Sequence, residues 1–379
     1  MQQQVLFPRD EFTLRATRVR TEMESRGLDG LVVTGPENVY YLTGYQTIGE
    51  VGSFLLLPLT GEPTLVLRWL ESPLAAYTTY VENVVTFDDV DDPMTILAAA
   101  VHDSGLRGRR IGVDESTVTA TLRARIDAAL APCTLVSSAG VVETARVVKT
   151  PSEVEACRRA AVFTGLGMRA AFAAAGAGVT ENQIAAAAFS AMAEAGSEWL
   201  TTSPIVTSGD RGGIPHTSYN SRPVAAGDAI LLEFSGCHFR YNSPLMRTVV
   251  VGEAPKRTAA MYRACLDALE AAMAAIRPGV TSGEAHAACQ RVIDDAGFTK
   301  EFRKRLGYAC GIGFKTWSEG SIFDLKAGDP RPIQAGMVIH MPPALRVIPE
   351  VGVGVSETIL VTDSGCEPLA TLDRSLVIA

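Results

Sequence analysis

Long apolar runs are missing from this chain of 379 residues. No stretch approaches the roughly 20 residues that a membrane-spanning helix needs. The opening MQQQVLFPRDEF meets charge before any apolar core can form, so no secretory leader is read from it and a cytoplasmic location is expected. Basic runs are missing too: 34 Lys and Arg stand against 42 Asp and Glu, leaving a net charge of −8. That balance lacks the electrostatic footprint of nucleic-acid or anionic-membrane binding, so neither partner is expected. Cysteine is sparse and unpatterned, with seven residues at 133, 157, 237, 265, 289, 310 and 366, no CxxC pair and no regular spacing. A disulfide framework is therefore excluded, and the cysteines read as reduced thiols.

What is present points to two domains, because a chain of this length exceeds what one hydrophobic core usually serves. Residues 28–146 alternate short apolar runs with Ala- and Arg-rich stretches: 31–34, 53–58 and 64–67 read as strands and 117–130 as a helix, an α/β pattern. The run Thr150-Pro151-Ser152-Glu153 then offers a helix cap, a proline at the first helical position and a glutamate three residues after the cap. We place the boundary just before it, with an N-terminal domain over 1–145 and a C-terminal domain over 146–379. Beyond it the chain repeats: GVTENQIAAAAFSAMAEAG at 178–196 aligns without a gap on GVTSGEAHAACQRVIDDAG at 279–297. Each copy has a Gly-Val-Thr turn, a Thr cap answered three residues later by Gln183 or Glu284, and an Ala-Gly ending, and strand-like segments follow each. Two such halves imply a pseudo-twofold domain, with its site in the groove where their strands meet, among residues 200–360.

Several ordered segments resemble one known family. They are ENVYYLTGY at 37–45 and GEPTLVLR at 61–68, then RVVKTPSEVEACRRAA at 146–161 and SPIVTSGDRGGIPH at 203–216. GDAILLEFSG, RTVV, GIG, GMVIHMPP and SETILVT follow. The chain is similar over nearly its whole length to the creatinase/aminopeptidase P family. The resemblance implies an α/β N-terminal domain and an α+β pseudo-twofold "pita-bread" C-terminal domain. Metal-binding members use two aspartates, a histidine and two glutamates to hold a pair of divalent ions. By position these fall here on Glu233, Pro244, Cys310, Pro342 and Ser356, with Glu357 beside the last. Proline has no donor atom and serine is a poor ligand, so no metal and no other cofactor is expected. The metal-free relatives, ectoine hydrolase and creatinase, imply hydrolysis of a C–N bond in a small amidine, guanidine or amide. The pattern RLGYACGIGFKTWSEG at 305–320 is more similar to the first of these.

Water attack on such a bond needs a base and then an acid, and imidazole can serve as both. His216 follows the glycine-rich run SGDRGGIP, and the resemblance makes it the proton-transfer histidine. Glu233 interrupts the apolar strand AILLEF, where an unpaired carboxylate is costly, so it is expected to face the groove and a cationic substrate. Glu357, on the opposite half, is expected to hold the substrate's other N–H edge. A salt bridge to Arg247 or Arg346 is the alternative for either carboxylate. His340 reads either as a buried histidine bonded to a neighbour or as a substrate contact. Cys310 reads as small filler of the substrate pocket, with a nucleophilic thiolate as the alternative. Trp317 and Glu319 lie in the loop that shapes specificity in relatives, as a lid over a cation or as an anchor of the loop. Arg68 and Arg346 are the candidates for gripping a substrate carboxylate. Arg68 is included because the N-terminal domain of dimeric relatives reaches over the partner's site, and a homodimer is implied by the resemblance alone. His238, His102 and His286 read as surface or packing residues. Two other functions stay open: an inactive binding module, and a ring-opening or elimination enzyme.

Overall fold

The computed structural model describes residues 5–47, 53–115, 117–198, 200–303 and 305–379. It divides into two compact units, Met1–Arg146 and Val147–Ala379. In the first, the strands are β1 (Gly30–Val33), β2 (Phe54–Pro58), β3 (Thr64–Arg68), β4 (Asn83–Phe87), β5 (Arg110–Val113) and β6 (Thr134–Ser137). They form one sheet in the order β4-β3-β2-β1-β5-β6. Helices α1 (Arg9–Ser25), α2 (Pro36–Thr43), α3 (Ser72–Thr78), α4 (Pro93–Asp103), α5 (Ala120–Ala129) and α6 (Val141–Val147) complete the unit. The sheet is mixed: β1 pairs antiparallel with β2 but parallel with β5. Apolar residues of the strands pack on α4 and α5 through Leu97, Val101 and Ile126. The helix read over 117–130 is shorter than expected, starting at Ala120 because Thr119 caps it by accepting from the Leu122 amide.

The second unit is built from two helix pairs and two sheets. Helices α7 (Pro151–Ala174) and α8 (Glu181–Glu194) pack together, as do α9 (Lys256–Ala275) and α10 (Ser282–Asp295). One sheet runs β19-β11-β8-β7, from Ile205–Ser208 (β7), Ala229–Phe234 (β8), Leu245–Val250 (β11) and Val377–Ile378 (β19). The other runs β13-β12-β14-β17-β18, from Gly307–Ala309 (β12), Asp324–Leu325 (β13), Val338–Met341 (β14), Glu357–Val361 (β17) and Cys366–Pro368 (β18). Two short hairpins, β9 with β10 (Cys237–His238 and Tyr241–Asn242) and β15 with β16 (Ala344–Val347 and Val351–Gly354), complete it.

The internal repeat is visible in local chemistry. Thr180 and Thr281 cap α8 and α10 in the same way, each accepting from the amide three residues on while the side chain of Gln183 or Glu284 returns a bond to the cap. Satisfying donors that a helix start leaves orphaned makes each start explicit in the sequence. Thr150 and Glu153 do the same for α7. The strands β8, β11, β14 and β17 are buried along nearly their whole length, so a charged residue among them needs a partner or an opening.

Candidate active site

A cleft of about 570 Å³ opens in the second unit, a size suited to a small molecule. His216, Glu233, Tyr308, Pro342 and Arg346 line it, with Arg303, Arg305 and Lys326 among the cationic residues of its wall and Glu301 and Asp324 among the acidic ones.

Glu233 reaches it from β8, where it stands opposite Met246 of β11 on one side and Ile205 of β7 on the other. The residue is only 7% exposed, yet among the described residues no hydrogen bond or salt bridge engages its carboxylate. A charge held so is costly unless something in the cleft answers it. Arg346 comes from β15 and is also buried, at 8% exposure. Its Nη1 donates to the Gly212 carbonyl at 2.8 Å. Burial pulls the guanidinium below its ordinary value, and the charge of Glu233 opposes that pull.

His216 is exposed and lies in the left-handed backbone region, with φ of 60°. A non-glycine residue stays there only where its surroundings hold it. Two devices hold this loop. Glu181, fully buried at the start of α8, accepts from the Ser208 amide at 2.7 Å, the Ser208 hydroxyl at 2.8 Å, the Asn220 amide at 3.1 Å and the Arg211 guanidinium. Gly212 and Gly213 then lie flat against the β15–β16 hairpin: a Cβ on Gly213 would sit 2.5 Å from the Val347 carbonyl oxygen, and one on Gly212 would sit 3.1 Å from the Gly352 nitrogen. Only glycine permits that approach, and it couples the His216 loop to the hairpin carrying Arg346.

The remaining expected residues sit elsewhere. Glu357 is not on the cleft; it is fully buried on β17, accepting from Arg247 Nη2 at 2.8 Å and Arg374 Nε at 3.0 Å. The expectation that it faces the groove is corrected, since two guanidiniums already neutralise it within the fold. Glu319 is held by Lys149 at 2.7 Å, both side chains nearly inaccessible, so it is an internal ion pair and not a lid residue. Burial alone would lower the Lys149 pKa, but the charge and hydrogen bond of Glu319 outweigh it and raise it. Cys310 is fully buried and burial pushes its thiol up to about 12, which removes the thiolate a nucleophile needs. Trp317 is buried, donating from Nε1 to the Tyr308 oxygen at 3.1 Å. His340 is fully buried and bonds Tyr308 at 3.1 Å and Ser356 at 2.7 Å. Arg68, in the first unit, pairs with Asp89. His238 pairs with Glu198, His102 is exposed beside Asp103, and His286 packs near Phe302. Sequence reading passed over Tyr308, the Arg303–Arg305 pair and Glu181. No local pattern marks them: Arg303 and Arg305 precede β12 outside any regular element, and Glu181 is the first residue of α8.

The five positions where metal-binding relatives place ligands can be tested on this geometry. Pro244 and Pro342 offer no side-chain donor, and the Pro244 carbonyl already accepts from Thr358 at 2.7 Å. The Ser356 hydroxyl is taken up by the Met246 amide at 2.6 Å and by His340. Cys310 and Glu233 are what remain, one thiol and one carboxylate, too few for a dinuclear site. Among the described residues no cluster of three or more His, Cys, Asp or Glu could hold an ion. These residues do not fit a dinuclear metal centre.

Residues 155–363 match metallopeptidase family M24, and residues 15–148 match the creatinase/prolidase N-terminal domain. An uncharacterized hydrolase/peptidase of Sinorhizobium fredii is 28% identical over 385 residues, covering 97% of this chain and 97% of that protein. An ectoine hydrolase of Halomonas elongata is 28% identical over 395 residues, covering 98% of each. The crystal structure of dipeptidase PepE from Mycobacterium ulcerans has a TM-score of 0.86 at 28% identity, covering 98% of this chain and 99% of that one. Matched in both units, with the two-sheet pita-bread architecture in the second, this chain belongs to the creatinase/aminopeptidase P group of the M24 family of hydrolases.

Proposed function

We propose that this chain hydrolyses a C–N bond in a small cationic or zwitterionic amidine, guanidine or amide, without a metal ion. Identity does not choose between the relatives, because the ectoine hydrolase and the dipeptidase PepE are each 28% identical to it. The donor set favours the first. What carries the reading is Glu233: a buried, unpaired carboxylate on the wall of a cleft that also holds Arg346 and His216. A ligand with a cationic nitrogen group and a carboxylate satisfies both buried charges. In this reading His216 takes a proton from water as oxygen bonds to the substrate carbon, then returns it to the nitrogen as the C–N bond breaks. Glu233 holds the cationic N–H edge. Arg346, whose guanidinium N–H groups other than the one bonded to Gly212 have no protein acceptor among the described residues, grips the carboxylate. A homodimer in which the partner's first unit approaches this cleft is part of the proposal, checked by light scattering.

The test is a screen of ectoine, creatine and Xaa-Pro dipeptides in chelator-treated buffer. Turnover of an amidino acid under those conditions supports the reading. Turnover confined to dipeptides and appearing only when manganese or zinc is added would overturn it, and thermal stabilisation by a probe with no turnover would point to a binding module.

A further inference from the structure

The mechanism above leaves Tyr308 unused, although it is the phenol on the cleft wall. It stands on β12 opposite His340 of β14 and Asp324 of β13. Its oxygen is bonded by Trp317 Nε1 at 3.1 Å and by His340 Nδ1 at 3.1 Å. The other imidazole nitrogen, Nε2, meets the Ser356 hydroxyl at 2.7 Å, and that oxygen accepts from the Met246 amide at 2.6 Å.

Two proton arrangements are compatible with these distances. In one, Tyr308 donates to Nδ1 and the Nε2 hydrogen goes to Ser356. The Ser356 oxygen then accepts twice, and its own hydrogen, in a fully buried side chain, has no acceptor among the described residues. In the other, Ser356 donates to Nε2 and Nδ1–H donates to Tyr308, whose oxygen also accepts from Trp317. Every buried donor is then met, and one hydrogen is left over: the phenolic O–H, at the cleft. An unmet buried hydroxyl is costly, so the second arrangement prevails. Burial and then the charge of Glu233 hold the Tyr308 phenol well above its ordinary range, so it stays an O–H donor at neutral pH.

We infer that Tyr308 is a catalytic residue whose O–H donates a hydrogen bond to the substrate heteroatom doubly bonded to the carbon under attack, where electron density collects as water adds. The inference rests on the hydrolase reading above. No proton leaves Tyr308: the water proton passes to His216 and on to the departing nitrogen, while the phenol donates to the lone pair that forms on that heteroatom as water adds. Trp317, His340 and Ser356 are positioning residues, since they fix the phenol's oxygen from behind and turn its hydrogen outward.

Two measurements test it. Tyr308→Phe, assayed well below its unfolding temperature on whichever of ectoine or creatine the unsubstituted protein turns over, is expected to lower kcat by about 10²–10³-fold with KM little changed, and to lower the thermal midpoint because Trp317 Nε1 and His340 Nδ1 lose their acceptor. Retained kcat, or a loss confined to KM, overturns the inference while leaving the hydrolase reading in place. Nitrogen-15 NMR of the full chain reads the His340 tautomer without any turnover; hydrogen on Nδ1 is expected, and hydrogen on Nε2 overturns the proton arrangement. If the unsubstituted protein turns over none of the probes, the hydrolase reading fails and takes the catalytic role with it, and the tautomer still reports whether the relay is built as described.

Discussion

Glu233 and Glu357 lie on interior strands of the two sheets of the second unit, β8 and β17, and both are buried. Around Glu357 the fold has gathered Arg247 and Arg374, and Arg247 in turn donates to the Met246 carbonyl at 2.9 Å. Around Glu233, among the described residues, nothing bonds; Arg346, whose charge is coupled to it, is spent in part on the Gly212 carbonyl. The two carboxylates have the same chemistry and similar strands, so the difference lies in what each is for. A carboxylate answered by the fold serves stability. One left open beside a cleft is available to a ligand, and its desolvation is repaid only on binding. The Lys149–Glu319 pair belongs with the first kind.

That contrast can be broken in four places, taken from the largest expected effect to the smallest. His216 is exposed, so His216→Ala is expected to leave the thermal midpoint unchanged while kcat falls by about 10²–10⁴-fold with near-native affinity; steady-state kinetics without metal decides it. Arg247→Met strands Glu357 as a buried charge with one remaining partner, and urea unfolding should register a loss of about 3–5 kcal/mol. If Glu233 is the open carboxylate, Glu233→Gln behaves in the opposite way. Unfolding stability is kept or raised, while KM for a cationic probe rises roughly tenfold as a charge-assisted bond becomes a neutral one. Equal losses of stability in Glu233→Gln and Arg247→Met would erase the distinction. The smallest effect concerns pH. Because the folded Lys149 pKa is raised, its contribution is fully present below the unfolded value near ~10.4 and disappears as pH climbs through the folded one. Relative to the pair-free double variant Lys149→Met/Glu319→Leu, native stability should be level up to about pH 10 and then decline. A difference that grows at alkaline pH would show the sign to be wrong.

Much of the architecture was legible because its signals are local. The capping boxes at Thr150, Thr180 and Thr281 each involve residues three apart, and all three form as read. Three of the first unit's strands, β1, β2 and β3, were legible to within a residue or two from apolar runs bounded by turns, and β4, β5 and β6 were not read. Placing Glu233 on the cleft was also within reach, since a charge in the run AILLEF must find an opening or a partner. Glu357 shows where that logic stops, because the same argument allowed both outcomes and only a residue 110 positions away in sequence, Arg247, selected one.

Sequence alone, then, determined the capped helix starts, the repeat and the lack of a side-chain donor at Pro244 and Pro342, because each is a property of residue type or of neighbours along the chain. Tertiary structure decided which charges stay open. It closed Glu357 with Arg247 and Glu319 with Lys149, sealed Cys310 beyond reach of solvent, and left Glu233 and Arg346 lining one cleft. It also joined Trp317, Tyr308, His340 and Ser356 into one line of hydrogen bonds. Pairing and burial depend on distance in space, which the folded sheets set and chain separation does not encode.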